Sequence, residues 1–158
     1  MIDAQDAPGV PIRPPYVLLA LIGLSGFLEW AMPLGAGPFG GGAFAFAGGA
    51  LLIAAGMLTA ALGLKGLVSA GTTFHTDAPN TALVVSGIYR HSRNPIYIGL
   101  ILVYAGLAAI IASPWALVFL PVFVYFLRYF AIGREEAYLL RRFGQPYRDY
   151  MDRVPRWF

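Results

Sequence analysis

Four apolar runs divide the chain. The first, over about residues 16–34, contains one charge, Glu29. At 1.5 Å per helical residue it is long enough to cross a hydrocarbon core of about 30 Å. The second, about 41–64, is rich in Ala and Gly, and Gly49, Gly56, Ala60 and Gly63 are small enough to let helices approach closely in lipid. The third and fourth, about 95–112 and 115–132, are separated only by Ser113 and Pro114, which predicts an antiparallel hairpin. A polar segment, 65–94, lies between the second and third runs, and a polar tail, 133–158, follows the fourth. The expected fold is all-α: an integral membrane helical bundle of about four transmembrane helices with a C-terminal cytoplasmic helical tail. Residues 16–158 form one domain behind an N-terminal tail, 1–15.

Composition strengthens this picture. Of 158 residues, 58% are hydrophobic and 12% charged, with a mean hydropathy of +0.67, too apolar for an ordinary soluble domain. The absence of cysteine excludes disulfides, thiolate nucleophiles and Cys-type zinc sites, and two histidines are poor material for a metal centre. The net charge of +3 does not read as nucleic-acid binding, because the basic residues border apolar runs. Lys and Arg fall chiefly at Arg13, Lys65, Arg90, Arg93 and from Arg128 onward, whereas the connections near 35–40 and 113–114 have none. By the positive-inside rule both termini and the long loop are cytoplasmic, in what is expected to be a bacterial inner membrane. The N-terminal segment carries Asp3, Asp6 and several prolines, unlike a basic signal peptide, and is read as a retained tail.

Gly35, Gly37 and Gly40 satisfy GxGxxG literally, but no strand precedes them and they join two membrane helices on the uncharged side, so a turn is the better reading.

Two segments carry candidate chemistry. In LVVSGIYRHSRNPIYIG, 83–99, an arginine-rich stretch runs straight into the third apolar helix. Asn94 and Pro95 fit an N-cap followed by proline at the first helical position, leaving free N–H groups suited to a carboxylate. Arg90 and Arg93 add forked donors, and Tyr89 and Tyr97 add ring faces and hydroxyls. The plainer alternative is an interfacial belt of arginine and tyrosine touching lipid headgroups. In LRYFAIGREEAYLLRRFGQPYRDY, 127–150, helical spacing places Arg128, Ile132 and Glu135 on one face. Glu135 and Glu136 form a carboxylate pair suited to an amine, a ribose hydroxyl or a sulfonium; a solvated, salt-bridged surface helix is the alternative. His75, in GTTFHTDAP, is a candidate base, with a structural histidine as its alternative. Glu29 beside Trp30 reads as interfacial.

Taken together, GIYRHSRNPIYIG and EEAYLLRRFGQPYRDYMDRVPRW resemble the paired motifs of the isoprenylcysteine carboxyl methyltransferase and phospholipid methyltransferase superfamily. The resemblance spans about 72–157. It implies S-adenosylmethionine as methyl donor, in a pocket made from the loop before the third helix and the C-terminal tail. Carried onto this chain, Leu83, Val84 and Gly87 line the adenine, Tyr89, Arg93, Asn94 and Tyr97 stand near the amino-acid end, and Glu135 and Glu136 complete the cage. Asn94 departs from the histidine usual in the eukaryotic isoprenylcysteine enzymes. His75 and Arg128 are the candidate catalytic residues. The implied acceptor is lipophilic or small and hydrophobic, methylated at a carboxylate, amine or thiol; the other expected contacts are membrane lipids, with no nucleic acid and no oligomeric state indicated. An NADPH-dependent membrane reductase of the sterol reductase type and a non-catalytic scaffold are the competing readings.

Overall fold

A computed structural model describes residues 9–10, 12–35, 41–72 and 81–157. All regular structure among them is helical. Helix α1 spans Pro14–Ala31 and α2 spans Ala43–Ser69, followed by a 3-10 turn over Gly87–Arg90. Helix α3 spans Pro95–Ile111 and α4 spans Pro114–Phe126; a π-helical segment, Leu127–Ile132, leads into α5, Gly133–Phe143, and α6 spans Gln145–Arg153. Three stretches are long and apolar enough to cross a membrane: Pro14–Ala31, Ala43–Ser69 and the continuous helical run Pro114–Phe143. Helix α3 is a shorter apolar helix of 17 residues, a length at the lower limit for a span. The chain therefore forms a helical membrane bundle.

Pro14, Pro95 and Pro114 stand at the starts of α1, α3 and α4, where a missing N–H costs nothing and the fixed φ suits a helix. Two expected boundaries differ. Helix α2 continues through Lys65 to Ser69, because Leu64, Leu67 and Val68 prolong its apolar sequence around one charge that reaches out to the surface. The fourth run does not stop at residue 132. The π-helical segment passes the chain into α5 without a break, and Gly133 donates its N–H to the Arg128 carbonyl, five residues back.

Small residues set the tightest packing. Gly56 and Gly99 face each other across the antiparallel α2–α3 seam, and a methyl group on either would fall 2.6 Å from the other's carbonyl oxygen. Gly49 and Gly106 repeat the arrangement seven residues away, and Gly63 lies against Pro95 and Ile96. Backbone contact of this kind is what small residues provide in lipid, where apolar side chains gain little by leaving the tails. The expected hairpin is present. Tyr104 stacks on Phe123 at 5.3 Å between ring centroids, and its hydroxyl donates to the Ala116 carbonyl at 3.1 Å. Leu18, Tyr104, Ala116, Phe123, Leu127 and Ile132 make the bundle core.

The chain reverses at Gly144, whose φ of +59° favours glycine. That turn folds α6 back onto α5, where Tyr147, Tyr150 and Val154 pack with Leu83, Leu139 and Phe143.

Candidate functional site

A cavity of about 440 Å³ lies where the start of α3 meets α5 and α6. Its apolar wall comes from α2 (Ala60, Leu64, Leu67), from Leu83 and Val84 before the 3-10 turn, and from Ile96, Leu100 and Leu139. The polar wall is Tyr89, Arg93, Asn94, Tyr97, Glu135, Glu136, Tyr147 and Tyr150, and the N-terminal edge of α1 contributes Arg13 to Tyr16. The volume is in the range of small-molecule sites, about 300–1,000 Å³.

Two contacts tie the arginine-tyrosine segment to the glutamate pair. The Tyr97 hydroxyl donates to Glu135 Oε2 at 2.9 Å, and Arg93 Nη1 stands 3.0 Å from Glu136 Oε1. The residues lie 38 and 43 positions apart in sequence, so this meeting is a product of the fold. Glu135 has no ion-pair partner among the described residues. Arg93 is largely buried. Its Nη1 faces Glu136 off the direction of a hydrogen bond, and its Nε has no hydrogen-bond partner. Buried donors are nearly always satisfied, so a largely buried arginine that lines a cavity, pairs with Glu136 and keeps an Nε without a partner is a candidate ligand-binding group.

Asn94 occupies the N-cap position of α3, but its side chain makes no cap. It donates instead to the Arg156 carbonyl at 3.0 Å, where the Ser92 hydroxyl also donates at 3.1 Å. The main-chain N–H of Arg93 reaches the Pro155 carbonyl at 3.0 Å. Asn94 thus spends its amide on the chain's last residues and leaves the amide groups of the first turn of α3 uncapped.

The tyrosines are hydrogen-bonding walls and not bases. Burial pushes the Tyr89 phenol well up, helped by Glu135. Burial does the same for Tyr147, with Glu136 adding to it and Arg93 opposing. The Tyr150 hydroxyl is pushed up to about 12 by burial against the opposing charge of Arg93, and it donates to the Tyr89 carbonyl at 2.7 Å. All three stay protonated at neutral pH.

Of the expected site residues, Leu83, Val84, Tyr89, Arg93, Asn94, Tyr97, Glu135 and Glu136 line one cavity, and Gly87 and Arg128 do not. Gly87 opens the 3-10 turn with φ +61°, a conformational role. Arg128 is exposed and lies over the Tyr129 ring at 5.6 Å. Arg128, Ile132 and Glu135 do not share one environment, and a π-helical segment, Leu127–Ile132, interrupts the unbroken α-helix on which the expected common face depends. Ile132 is buried in the core, whereas Arg128 points out. His75 lies outside the described residues, as do Gly37 and Gly40. Residues missed from sequence were Arg13 to Tyr16, the α2 wall, Tyr147, Tyr150 and Arg156. For the two tyrosines a signal existed, since YRDY puts them three apart on one face of α6.

The sequence model of the phospholipid methyltransferase family matches residues 44–146 of this chain. The protein named Protein-S-isoprenylcysteine O-methyltransferase B, from Arabidopsis thaliana, is 36% identical over 75 residues, which are 46% of this chain and 37% of that protein. The chain thus covers little more than a third of that relative. No solved structure matches. The family match takes in most of the bundle and the segments that build the cavity from α2 to α5, and the chain belongs to the phospholipid methyltransferase family.

Proposed function

We propose that this protein is an S-adenosylmethionine-dependent membrane methyltransferase whose donor binds in the cavity between α2, α3, α5 and α6. One observation carries the reading: the same cavity holds Glu135, a carboxylate without a cation among the described residues, and Arg93, a largely buried guanidinium that pairs with Glu136 and keeps an unpartnered Nε. A ligand that is both cationic and carboxylated complements that pair. S-Adenosylmethionine is such a ligand, and when bound it supplies an electrophilic methyl group on a sulfonium. Arg93 and the open first turn of α3 receive the carboxylate. Glu135, held by Tyr97, faces the positive charge, and Tyr89 adds a ring face for the sulfonium. Leu64, Leu67, Leu83 and Val84 enclose the adenosine.

With such a donor bound between Arg93 and Glu135, transfer would exchange the sulfur–methyl bond for one bond to the acceptor and would leave a neutral thioether. Alignment and dryness of the site carry most of the rate, since charge disappears along the path. A carboxylate acceptor yields a methyl ester with no proton to remove. An amine or thiol loses a proton, for which Glu135 or His75 is the base of this reading. The acceptor is lipophilic or small and hydrophobic, and it arrives from lipid past the α1 and α2 edge of the cavity, where Pro14, Pro15, Tyr16, Ala60 and Leu64 stand. The cavity end of the bundle faces the cytoplasm, in line with the basic residues gathered there.

Calorimetry on detergent-purified protein tests the reading. S-Adenosylmethionine is expected to bind and NADPH is not. Radiolabelled methyl transfer to a panel of prenylcysteines, phospholipids and small thiols identifies the acceptor. Binding of NADPH alone, or of neither ligand, overturns the proposal.

A further inference from the structure

Glu136 holds a single carboxylate between two guanidiniums. Arg156 takes it with both arms of its fork: Nε donates to Oε1 at 3.1 Å, and Nη2 donates to Oε2. Its guanidinium is held further in the charged form by these hydrogen bonds. Arg93 is left with one ion-pair contact to Oε1 and an unpartnered Nε. The side chains of Arg93 and Glu136 are 11% and 13% exposed, against 31% for Arg156. Arg93 and Glu136 line the cavity, and Arg156 does not.

The main chain at Arg156 is anchored at the same place. Its carbonyl accepts from Ser92 and Asn94, the two neighbours of Arg93, and the carbonyl before it accepts from Arg93 itself. Trp157 then packs against the bundle core. Pro155, Arg156 and Trp157 all lie beyond position 146, where the family match ends.

Both oxygens of Glu136 already accept from Arg156, so Arg93 is left with a single contact to a carboxylate that is held in place. Bidentate pairing is the strong arrangement, and poor solvation at an enclosed site raises the cost of leaving either charge open. Without Arg156, Glu136 is free to turn and take Arg93 with both oxygens. The donors that Arg93 now holds open would then be consumed.

We infer that Arg156 is a positioning residue: by occupying Glu136 it keeps the Arg93 guanidinium available for the carboxylate of a ligand in the cavity. This rests on the donor reading above. It predicts that the tail acts on recognition of one functional group, whereas a strap that merely fastened α6 would affect every ligand alike.

The test is calorimetry on the full chain in detergent, with S-adenosylmethionine and with its decarboxylated analogue as the two probes, and with the melting temperature recorded for each variant. Arg156→Ala is expected to weaken S-adenosylmethionine about tenfold or more, the loss typical of a charged hydrogen bond, while the analogue changes by less than about twofold. Adding Glu136→Gln to Arg156→Ala is expected to return affinity to within about threefold of wild type, because the competing carboxylate is gone. Arg156→Lys keeps the charge without the fork and is expected to fall between wild type and Arg156→Ala; should Arg156→Ala fail to fold, Arg156→Lys carries the comparison of the two probes. Equal weakening of both probes, unchanged affinity for S-adenosylmethionine, or no recovery on adding Glu136→Gln overturns the inference and leaves the donor reading standing. If wild-type protein binds neither probe, the donor reading falls and takes the inference with it.

Discussion

The two ends of the bundle each hold glutamate, and they use it in opposite ways. At the hairpin end, Glu29 of α1 accepts the Leu34 N–H at 3.2 Å on one oxygen and the Ser113 hydroxyl at 3.1 Å on the other. Trp115 adds a bond from its indole N–H to the Met32 carbonyl at 3.1 Å. Neutral donors close that corner, and Glu29 joins the end of α1 to the α3–α4 turn. At the cavity end, Glu135 has one tyrosine and, among the described residues, no cation, Glu136 is shared by two arginines, and Arg93 keeps an unpartnered Nε. The first arrangement is complete without a ligand. The second has charge and donors left over, a cost to stability that the rest of the fold must offset and the basis of the proposed binding site.

Several substitutions sharpen or break this contrast. The largest effect is expected from Gly56→Val, which acts on the seam joining the two ends. Its side chain would enter the backbone of α3 at Gly99, and overpacking against main chain costs about 3 kcal/mol or more. Loss of the cooperative melting transition in detergent is the expected readout, with binding lost along with it. A Gly56→Val protein that melts like wild type would mean that the seam is looser than described.

Next in size is Arg93→Ala. It removes the open guanidinium and is expected to reduce S-adenosylmethionine affinity about 100-fold, equivalent to about 2.7 kcal/mol. Unchanged affinity in calorimetry would detach the unpartnered Nε from any role in binding. Glu135→Gln tests the opposite charge in the same cavity. It keeps a partner for the Tyr97 hydroxyl and is expected to lower affinity about tenfold, with little change in melting temperature.

The hairpin end is expected to respond in the reverse sense. Ser113→Ala leaves one oxygen of Glu29 without its donor and is expected to cost about 1 kcal/mol of stability, with methyl-donor affinity unchanged. Trp115→Phe is the smallest, about 0.5 kcal/mol, since the Met32 carbonyl stands near solvent and recovers a partner there. A loss of donor affinity in either variant would show that the two ends are coupled and that the division between them is too sharp.

Much of the site was legible because its parts are local. GIYRHSRNPIYIG and EEAYLLRRF announce their chemistry by residue type, and eight of the expected lining residues do share one cavity. What failed was register. The face assigned to Arg128, Ile132 and Glu135 assumes an unbroken α-helix, whereas a π-helical segment spans Leu127–Ile132, Arg128 is exposed, Ile132 is buried in the core and Glu135 lines the cavity. Asn94 failed differently. Its type and position fit a cap, but a carbonyl 62 residues away competes for its amide. No local pattern contains that competitor.

The sequence by itself determined that this chain is helical and membrane-embedded, that a helix begins at Pro95, and that glycine would bring α2 against another helix. Those properties follow from hydrophobic length, from proline at first turns and from side-chain size, all of which act over a few residues. Only the tertiary structure decided which glutamate fastens a turn and which lines the cavity, because that depends on donors arriving from distant positions. Glu29 and Glu136 are the same residue type. Ser113 and Leu34 close the first, while Arg93 and Arg156 divide the second, and a carboxylate takes its role from the partners that the fold brings to it.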